Sequence, residues 1–237
     1  MTNPLTKREW TILISLVVYS SVPVLGGMIR LLELAGGPAL APENPRVLAD
    51  PVPAVLHIAA SFVFCIAGAM QFLPGIRRRH PSLHRGMGRV LVLAGCVSAA
   101  SGLWMTWFFT FPDALQGSLL FTARIIVGVS MIGLIGWAIL AVRARDFNRH
   151  GALMLRAYAL GQGASTQALF GIGWIGIIGA EPAGLPRDLL MVLCWVLNLL
   201  AAEILIQRSM INPQSARSDL DRPAQSKAVI ASRSNSS

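Results

Sequence analysis

The sequence consists of long apolar blocks separated by short polar and basic segments. The blocks without a charged residue include Trp10 to Ile29 (20 residues), Val90 to Phe111 (22 residues) and Ala157 to Ala180 (24 residues). A helix needs about 20 apolar residues to cross roughly 30 Å of hydrocarbon. The pattern therefore predicts an all-α, polytopic integral membrane protein.

Prolines and glycines divide the chain into six predicted transmembrane helices. Pro51 and Pro53 suit the start of the second helix, because proline is tolerated in a first helical turn, and Pro74-Gly75 ends it. The predicted spans are residues 10–31, 53–73, 88–110, 118–142, 152–178 and 187–207.

Residues 10–208 form the predicted transmembrane domain. The segment before it is short, and the segment after it is polar. We expect residues 1–9 to form a cytoplasmic N-terminus. Residues 209–237 are rich in serine and poor in large apolar groups, so they cannot bury enough surface to offset the entropy of ordering. We therefore expect a disordered cytoplasmic tail.

The basic residues predict an orientation with both termini inside. The chain has 20 Lys and Arg against 11 Asp and Glu, a net charge of +9, but these residues lie at helix ends rather than on one nucleic-acid-binding face. With the N-terminus inside, four of them fall outside: Arg30, Arg46, Arg124 and Arg187. Twelve fall inside before the tail: Lys7, Arg8, Arg77, Arg78, Arg79, Arg85, Arg89, Arg143, Arg145, Arg149, Arg156 and Arg208.

Common catalytic and metal-binding motifs do not occur in the sequence. Cys65, Cys96 and Cys194 lie inside apolar blocks without CxxC spacing, which gives no indication of a disulfide framework or a thiolate metal site. HExxH, GxSxG and phosphate-loop motifs are likewise missing, so hydrolase and nucleotide-driven activities have no support.

Polar residues within the spans are the first candidates for a site, because such groups are costly in a bilayer. Gln162, Ser165 and Thr166 share one face of the fifth span at i, i+3 and i+4 spacing. The candidate polar-cavity residues are His57, Gln71, Arg124, Gln162, Thr166 and Glu203. Interhelical hydrogen bonds, and snorkelling of Arg124 to the interface, are the alternatives.

Histidines and arginines are concentrated at the predicted inner face. His84 and His150 occupy equivalent depths on helices of the same direction, so they are the candidate axial ligands of a haem b. Arg85, Arg89 and Arg156 are then candidates for its propionates, or for anionic lipid head groups. Topology determination alone also accounts for the arginines.

Several of these residues stand in motifs that resemble a known family. Gln71-Phe72-Leu73-Pro74, Pro81-Ser82-Leu83-His84-Arg85 and Arg156-Ala157-Tyr158-Ala159-Leu160 resemble the bacterial family of predicted membrane proteins called domain of unknown function 2306. Matching positions are His57, Gln71, His84, Arg85, Arg89, His150, Arg156 and Tyr158. The resemblance, over roughly residues 53–175, implies a multi-pass protein of the bacterial inner membrane and implies no activity. Gly151-Ala152-Leu153 and Gln167 depart from the family pattern.

Three functions remain open at this point. The first is a non-enzymatic binding, transport or accessory membrane protein, and it is favoured. The second is a haem-b electron-transfer protein ligated by His84 and His150. The third is an enzyme acting on an anionic lipid or isoprenoid at the cytoplasmic face. The expected partners are the bilayer and its anionic lipids, with no nucleic acid.

Overall fold

The fold is described by a computed structural model over residues 5–211. This part of the chain is 83% helix and contains no strand. Contacts between residues divide the chain into a first unit that ends at Leu199 and a second unit that begins at Leu200. Within the described residues, the second unit consists of the end of the last helix.

The described residues contain ten α-helices and one π-helical segment. A π-helical turn, Val63–Ala67, joins the third helix to the fourth without interruption. The helices are α1 (Lys7–Leu34), α2 (Pro45–Ala49), α3 (Pro51–Phe62), α4 (Gly68–Gln71), α5 (Pro74–Arg79), α6 (Pro81–Phe108), α7 (Ser118–Arg143), α8 (Phe147–Gly161), α9 (Gly163–Ile178) and α10 (Gly184–Ile211).

Five helical runs in the described residues are long and apolar enough to cross a membrane. They are Lys7–Leu34, Pro51–Gln71, Pro81–Phe108, Ser118–Arg143 and Gly184–Arg208. Each overlaps one of the predicted spans. Large apolar side chains on these runs face outward, among them Val18 at 63% exposure and Ile126 at 60%, as the acyl chains of a bilayer require. The chain is a membrane protein, and the part that the structure describes is all-helical.

The predicted span 152–178 is two helices rather than one. Helix α8 ends at Gly161 and α9 begins at Gly163, so Gln162 belongs to neither helix. The side chain of Gln162 forms hydrogen bonds to neighbouring groups, described below, and glycines on both sides lower the helix propensity of the break. Helix α8 also begins earlier than the predicted span, at Phe147, because Asp146 caps it by accepting from the Arg149 N–H at 3.0 Å.

The start of α1 is tied to α5 by a buried carboxylate. Thr6 and Glu9 form a capping box, in which Glu9 Oε2 accepts from the Thr6 N–H at 2.9 Å. The other oxygen, Oε1, accepts from the Gly75 N–H, so the 8%-exposed carboxylate is satisfied on both sides. This contact connects the two chain segments at one end of the first unit.

The centre of the first unit is packed around Phe64, which is 2% exposed. Its ring is in contact range of two glycines, because a Cβ at Gly95 would lie 2.7 Å from Phe64 Cε2 and one at Gly161 would lie 2.9 Å from Cε1. Small residues at such points let membrane helices approach closely. Leu91 and Ile135 complete this core with the ring of Tyr158.

The expected tail lies almost wholly outside the described residues. Helix α10 continues to Ile211, three residues into the segment from 209 onward that the sequence analysis assigned to the tail. Residues 212–237, where disorder is predicted, are not among the described residues.

Candidate functional site

A cavity of about 570 Å³ lies in the first unit among α1, α3, α6, α7 and α9, and the π-helical turn, the end of α8 and Trp195 of α10 also line it. Its wall is mainly apolar, with side chains such as Val24, Leu103 and Met131. The volume is in the range of small-molecule sites in proteins. The hydrogen-bonding and charged side chains on the wall are Ser20, His57, Ser61, Ser98, Thr106, Arg124, Ser165 and Gln167.

His57 lies on the cavity wall with a defined orientation. Its Nδ1 donates to the Ser98 carbonyl oxygen of α6 at 2.8 Å, so Nδ1 carries a proton. In the neutral imidazole the other nitrogen, Nε2, is then a hydrogen-bond acceptor. Among the described residues Nε2 has no hydrogen-bond partner, which leaves it available to a molecule in the cavity.

Two hydroxyl groups beside His57 belong to the same wall. Ser61, one helical turn after His57, pairs its Oγ with Ser98 Oγ at 2.7 Å. Neither serine is among the residues predicted from the sequence, although the spacing of His57 and Ser61 at i and i+4 places them on one helix face. No spacing in the sequence indicates that Ser98 of α6 is the partner of Ser61.

Arg124 reaches the cavity from the beginning of α7. Its guanidinium donates to Gln116 Oε1 and lies 5.1 Å from the ring centroid of Phe111. Within residues 5–211 no carboxylate lies within 4.0 Å of it. The nearby carboxylate of Asp188, 2% exposed, accepts instead from the N–H groups of Gly117 and Leu120 and so caps α7.

Gln162 belongs to a buried hydrogen-bond network and Thr166 bonds to Asn198 of α10, and neither side chain lines the cavity wall. Gln162 Nε2 donates to Ser20 Oγ at 2.9 Å and to Tyr158 Oη at 2.7 Å, and its Oε1 accepts from Ser165 Oγ at 2.7 Å. Thr166 Oγ1 donates to Asn198 Oδ1 at 2.7 Å. The network reaches the cavity through two of its members, because Ser20 and Ser165 also line the wall.

The π-helical turn supplies one acceptor to this network. A π-helix shifts the backbone hydrogen-bond register, and such turns are frequent at functional sites. The hydroxyl of Tyr158 donates to the Cys65 carbonyl oxygen at 2.8 Å, and a Cβ at Gly68 would lie 2.8 Å from the Tyr158 ring. Tyr158 therefore joins α8 to the π-helical turn, a role that its sequence position did not reveal.

The two remaining cavity candidates are placed elsewhere. Gln71 is at the end of α4 and does not line the cavity, and its Nε2 is buried with no hydrogen-bond partner in the described part of the chain. Glu203 is partly exposed on α10, in the second unit.

His84 and His150 each occupy the fourth position of a helix, α6 and α8 respectively. The structure brings the two rings within electrostatic range of one another. His150 Nδ1 donates to the Ala138 carbonyl oxygen at 2.9 Å, and its Nε2 has no hydrogen-bond partner among the described residues, an arrangement that metal-ligating histidines share. His84 Nδ1 is buried and has no partner among residues 5–211. Neither ring lines the cavity.

The basic candidates beside these histidines differ in exposure. Arg85 and Arg89 are exposed, whereas Arg156 is partly buried. Asp146, the nearest acidic residue in sequence to His150, is engaged as the cap of α8. Groups of three or more metal-ligating side chains do not occur within the described residues.

These helices and the cavity among them define a polytopic membrane protein. The chain belongs to the family of predicted membrane proteins DUF2306, whose sequence model matches residues 54–206. The resemblance seen in the sequence motifs is confirmed. Comparison with curated proteins and with solved structures finds no match.

Proposed function

We propose that this protein is a non-enzymatic membrane protein that binds a small, largely apolar molecule in the cavity. The observation that carries the proposal is a space of about 570 Å³ whose wall is mainly apolar and includes the polar side chains of His57 and Arg124. Few convergent polar groups on an apolar wall are typical of a site that orients a ligand.

Support for binding comes from the engagement of the wall's polar groups. The Nδ1–H of His57 donates to the backbone carbonyl of Ser98, and the hydroxyls of Ser61 and Ser98 form a hydrogen bond with each other. These contacts hold the wall in place without a ligand. A pre-formed site loses little conformational entropy on binding, which favours affinity.

A cavity-filling substitution tests this proposal. Ala164 lines the cavity, so Ala164→Leu reduces the space, whereas Gly176→Leu adds the same side chain to α9 where a Cβ meets nothing within 4 Å. Fluorine NMR of terminally fluorinated decanol, with the protein in phosphatidylcholine nanodiscs, distinguishes bound probe from probe in the bilayer. We expect saturable binding to the wild type and Gly176→Leu, and at least a tenfold loss for Ala164→Leu. Equal binding by all three refutes the proposal.

We further propose that the protein crosses the bacterial inner membrane six times, with both termini on the cytoplasmic side. Helices α8 and α9 together form one interrupted crossing. Support comes from the distribution of Lys and Arg, twelve inside against four outside. The cavity then opens toward the outer half, because His57 and Arg124 are near the starts of outside-to-inside helices. Single cysteines at Asp113 and Arg145 in a cysteine-free background test this with an impermeant maleimide, which should label only Asp113→Cys in intact cells.

Anionic lipids are the proposed partner of the inner face. Support comes from arginines there that are exposed: Arg77, Arg78, Arg79, Arg85, Arg89, Arg143, Arg145 and Arg149. Such clusters attract anionic head groups at about 1 kcal/mol per charge near the surface. Lipid analysis of purified protein should show enrichment of phosphatidylglycerol or cardiolipin, and the enrichment should fall in a variant with Arg77, Arg78 and Arg79 changed to Gln.

A haem-b electron-transfer protein is the second candidate function. The observation that favours it is the imidazole of His150, which the Ala138 carbonyl orients and whose Nε2 has no partner within residues 5–211. His84 and His150 would hold the haem, with Arg85, Arg89 and Arg156 near its propionates, and the haem would supply one-electron transfer. An absorption spectrum before and after dithionite tests this: a Soret band lost in both His84→Ala and His150→Ala supports it, and a colourless protein after growth with added haem refutes it.

A further inference from the structure

Arg124 is a partly buried cation with no carboxylate partner in the described residues. Its guanidinium makes a hydrogen bond to the neutral side chain of Gln116 and a cation–π contact with Phe111. The carboxylate of Asp188 is committed to two backbone N–H groups at the start of α7. Buried charges in proteins are usually paired, because an unpaired charge in a low-dielectric environment is costly.

The surroundings of Arg124 are also positively charged. The charged groups that act on it are two cations, Arg46 and Arg187, and one anion, Asp188, so with Arg124 itself the cluster has a net charge of +2. Arg46 lies 4.8 Å from the centroid of the Phe111 ring, which Arg124 also contacts, and the Phe111 side chain lines the cavity. This end of the cavity therefore attracts an anion.

The rest of the wall has a different character. Away from Arg124, the wall consists largely of apolar side chains, with Val127 and Met131 near the middle of α7 and Leu160 at the end of α8. The site is thus amphipathic, with a cationic end and an apolar body. His57 adds an acceptor that suits a hydroxyl or other donor near the head group.

We propose that the cavity binds a single-chain amphiphile whose anionic head group pairs with Arg124 and whose apolar chain occupies the body of the cavity. This inference rests on the proposed function and adds the chemical class of the ligand. Carboxylate and phosphate head groups both match the planar fork of a guanidinium, so the shared chemistry is an anionic oxygen pair.

The test compares three probes of equal chain length in phosphatidylcholine nanodiscs: fluorinated decanol, decanoate and decyl phosphate. Four proteins are compared: the wild type, Arg124→Gln, Arg124→Lys and Arg143→Gln. Arg143 is at the opposite end of the same helix and is exposed, so Arg143→Gln is a control for loss of one positive charge. Fluorine NMR titrations give a dissociation constant for each pair.

We expect at least one anionic probe to bind the wild type about tenfold or more tightly than decanol, as a charged hydrogen bond predicts. The preference should disappear in Arg124→Gln, persist within about threefold in Arg124→Lys, and be unchanged in Arg143→Gln. Which anion binds more tightly identifies the head group. The decanol titration also reports whether Arg124→Gln still has a folded cavity.

The outcomes separate this inference from the proposed function. Saturable decanol binding with no preference for either anion overturns the inference and leaves the proposed function in place. A preference retained in Arg124→Gln, with decanol still bound, also overturns the inference. Absence of saturable binding for all three probes in the wild type overturns both.

Discussion

The side chain of Gln162 should contribute measurably to stability, and Gln162→Leu tests this. The substitution keeps a similar volume and removes three hydrogen bonds: to Ser20 Oγ at 2.9 Å, to Tyr158 Oη at 2.7 Å and from Ser165 Oγ at 2.7 Å. Gln162 is 4% exposed, so water cannot replace the lost partners freely.

The magnitude follows from what each partner retains. Interhelical side-chain hydrogen bonds in membrane proteins average about 0.6 kcal/mol and reach about 1.7. Ser20 keeps its bond to the Leu16 carbonyl at 2.8 Å, and Tyr158 keeps its bond to the Cys65 carbonyl at 2.8 Å. Ser165 loses the partner that Gln162 provided. We therefore expect the free energy of unfolding to fall by about 1–2 kcal/mol.

The measurement is reversible unfolding of the purified protein in mixed micelles with increasing SDS, followed by tryptophan fluorescence. Gln71→Leu is the matched control, because the Nε2 of Gln71 is buried without a partner in the described chain. Removing that amide should leave stability unchanged or raise it. A double-mutant cycle with Ser20→Ala should give a coupling of about 0.6 kcal/mol. The reasoning is refuted if Gln162→Leu matches the wild type, or if Gln71→Leu is equally destabilised.

Two further predictions concern packing and capping. Gly163→Ala should lower the free energy of unfolding by about 1–3 kcal/mol, because the added Cβ would lie 2.1 Å from Trp195 Nε1. The control is Gly171→Ala, where a Cβ meets nothing within 4 Å. It should leave the free energy of unfolding unchanged or raise it in the same SDS titration. Asp188→Ala should cost about 1–2 kcal/mol by removing the cap of α7, whereas Asp113→Ala, at an exposed site, should change the unfolding midpoint little. An unchanged midpoint for Asp188→Ala would contradict the capping role.

Secondary structure and membrane class follow from the sequence by itself. Twenty or more consecutive uncharged, mostly apolar residues can be stable in lipid only as a helix, because no water is present to satisfy the backbone. The blocks beginning at Trp10 and Val90 lie within or largely within α1 and α6 as predicted. The family was also evident from local motifs such as Pro81-Ser82-Leu83-His84-Arg85, since a motif is a property of neighbouring residues.

Whether a polar residue faces a cavity or another helix was decided by the tertiary structure. The spacing of Gln162, Ser165 and Thr166 places them on one face of a helical run, but their partners Ser20 and Asn198 are distant in sequence. Those partners engage two of the predicted cavity residues in hydrogen bonds between helices. The same network coincides with the break between α8 and α9, which an uninterrupted apolar block did not indicate.

For His57 and Arg124, too, the sequence identifies the candidates and the tertiary structure determines their surroundings. Their positions inside apolar spans marked both as costly and therefore as candidates, and both line the cavity. Their surroundings depend on other helices: the Ser98 carbonyl orients the imidazole, and Asp188 is occupied by the start of α7. A sequence specifies which polar groups are energetically costly to bury. Contacts between helices determine which of these groups have hydrogen-bond partners within the protein and which remain available to a ligand.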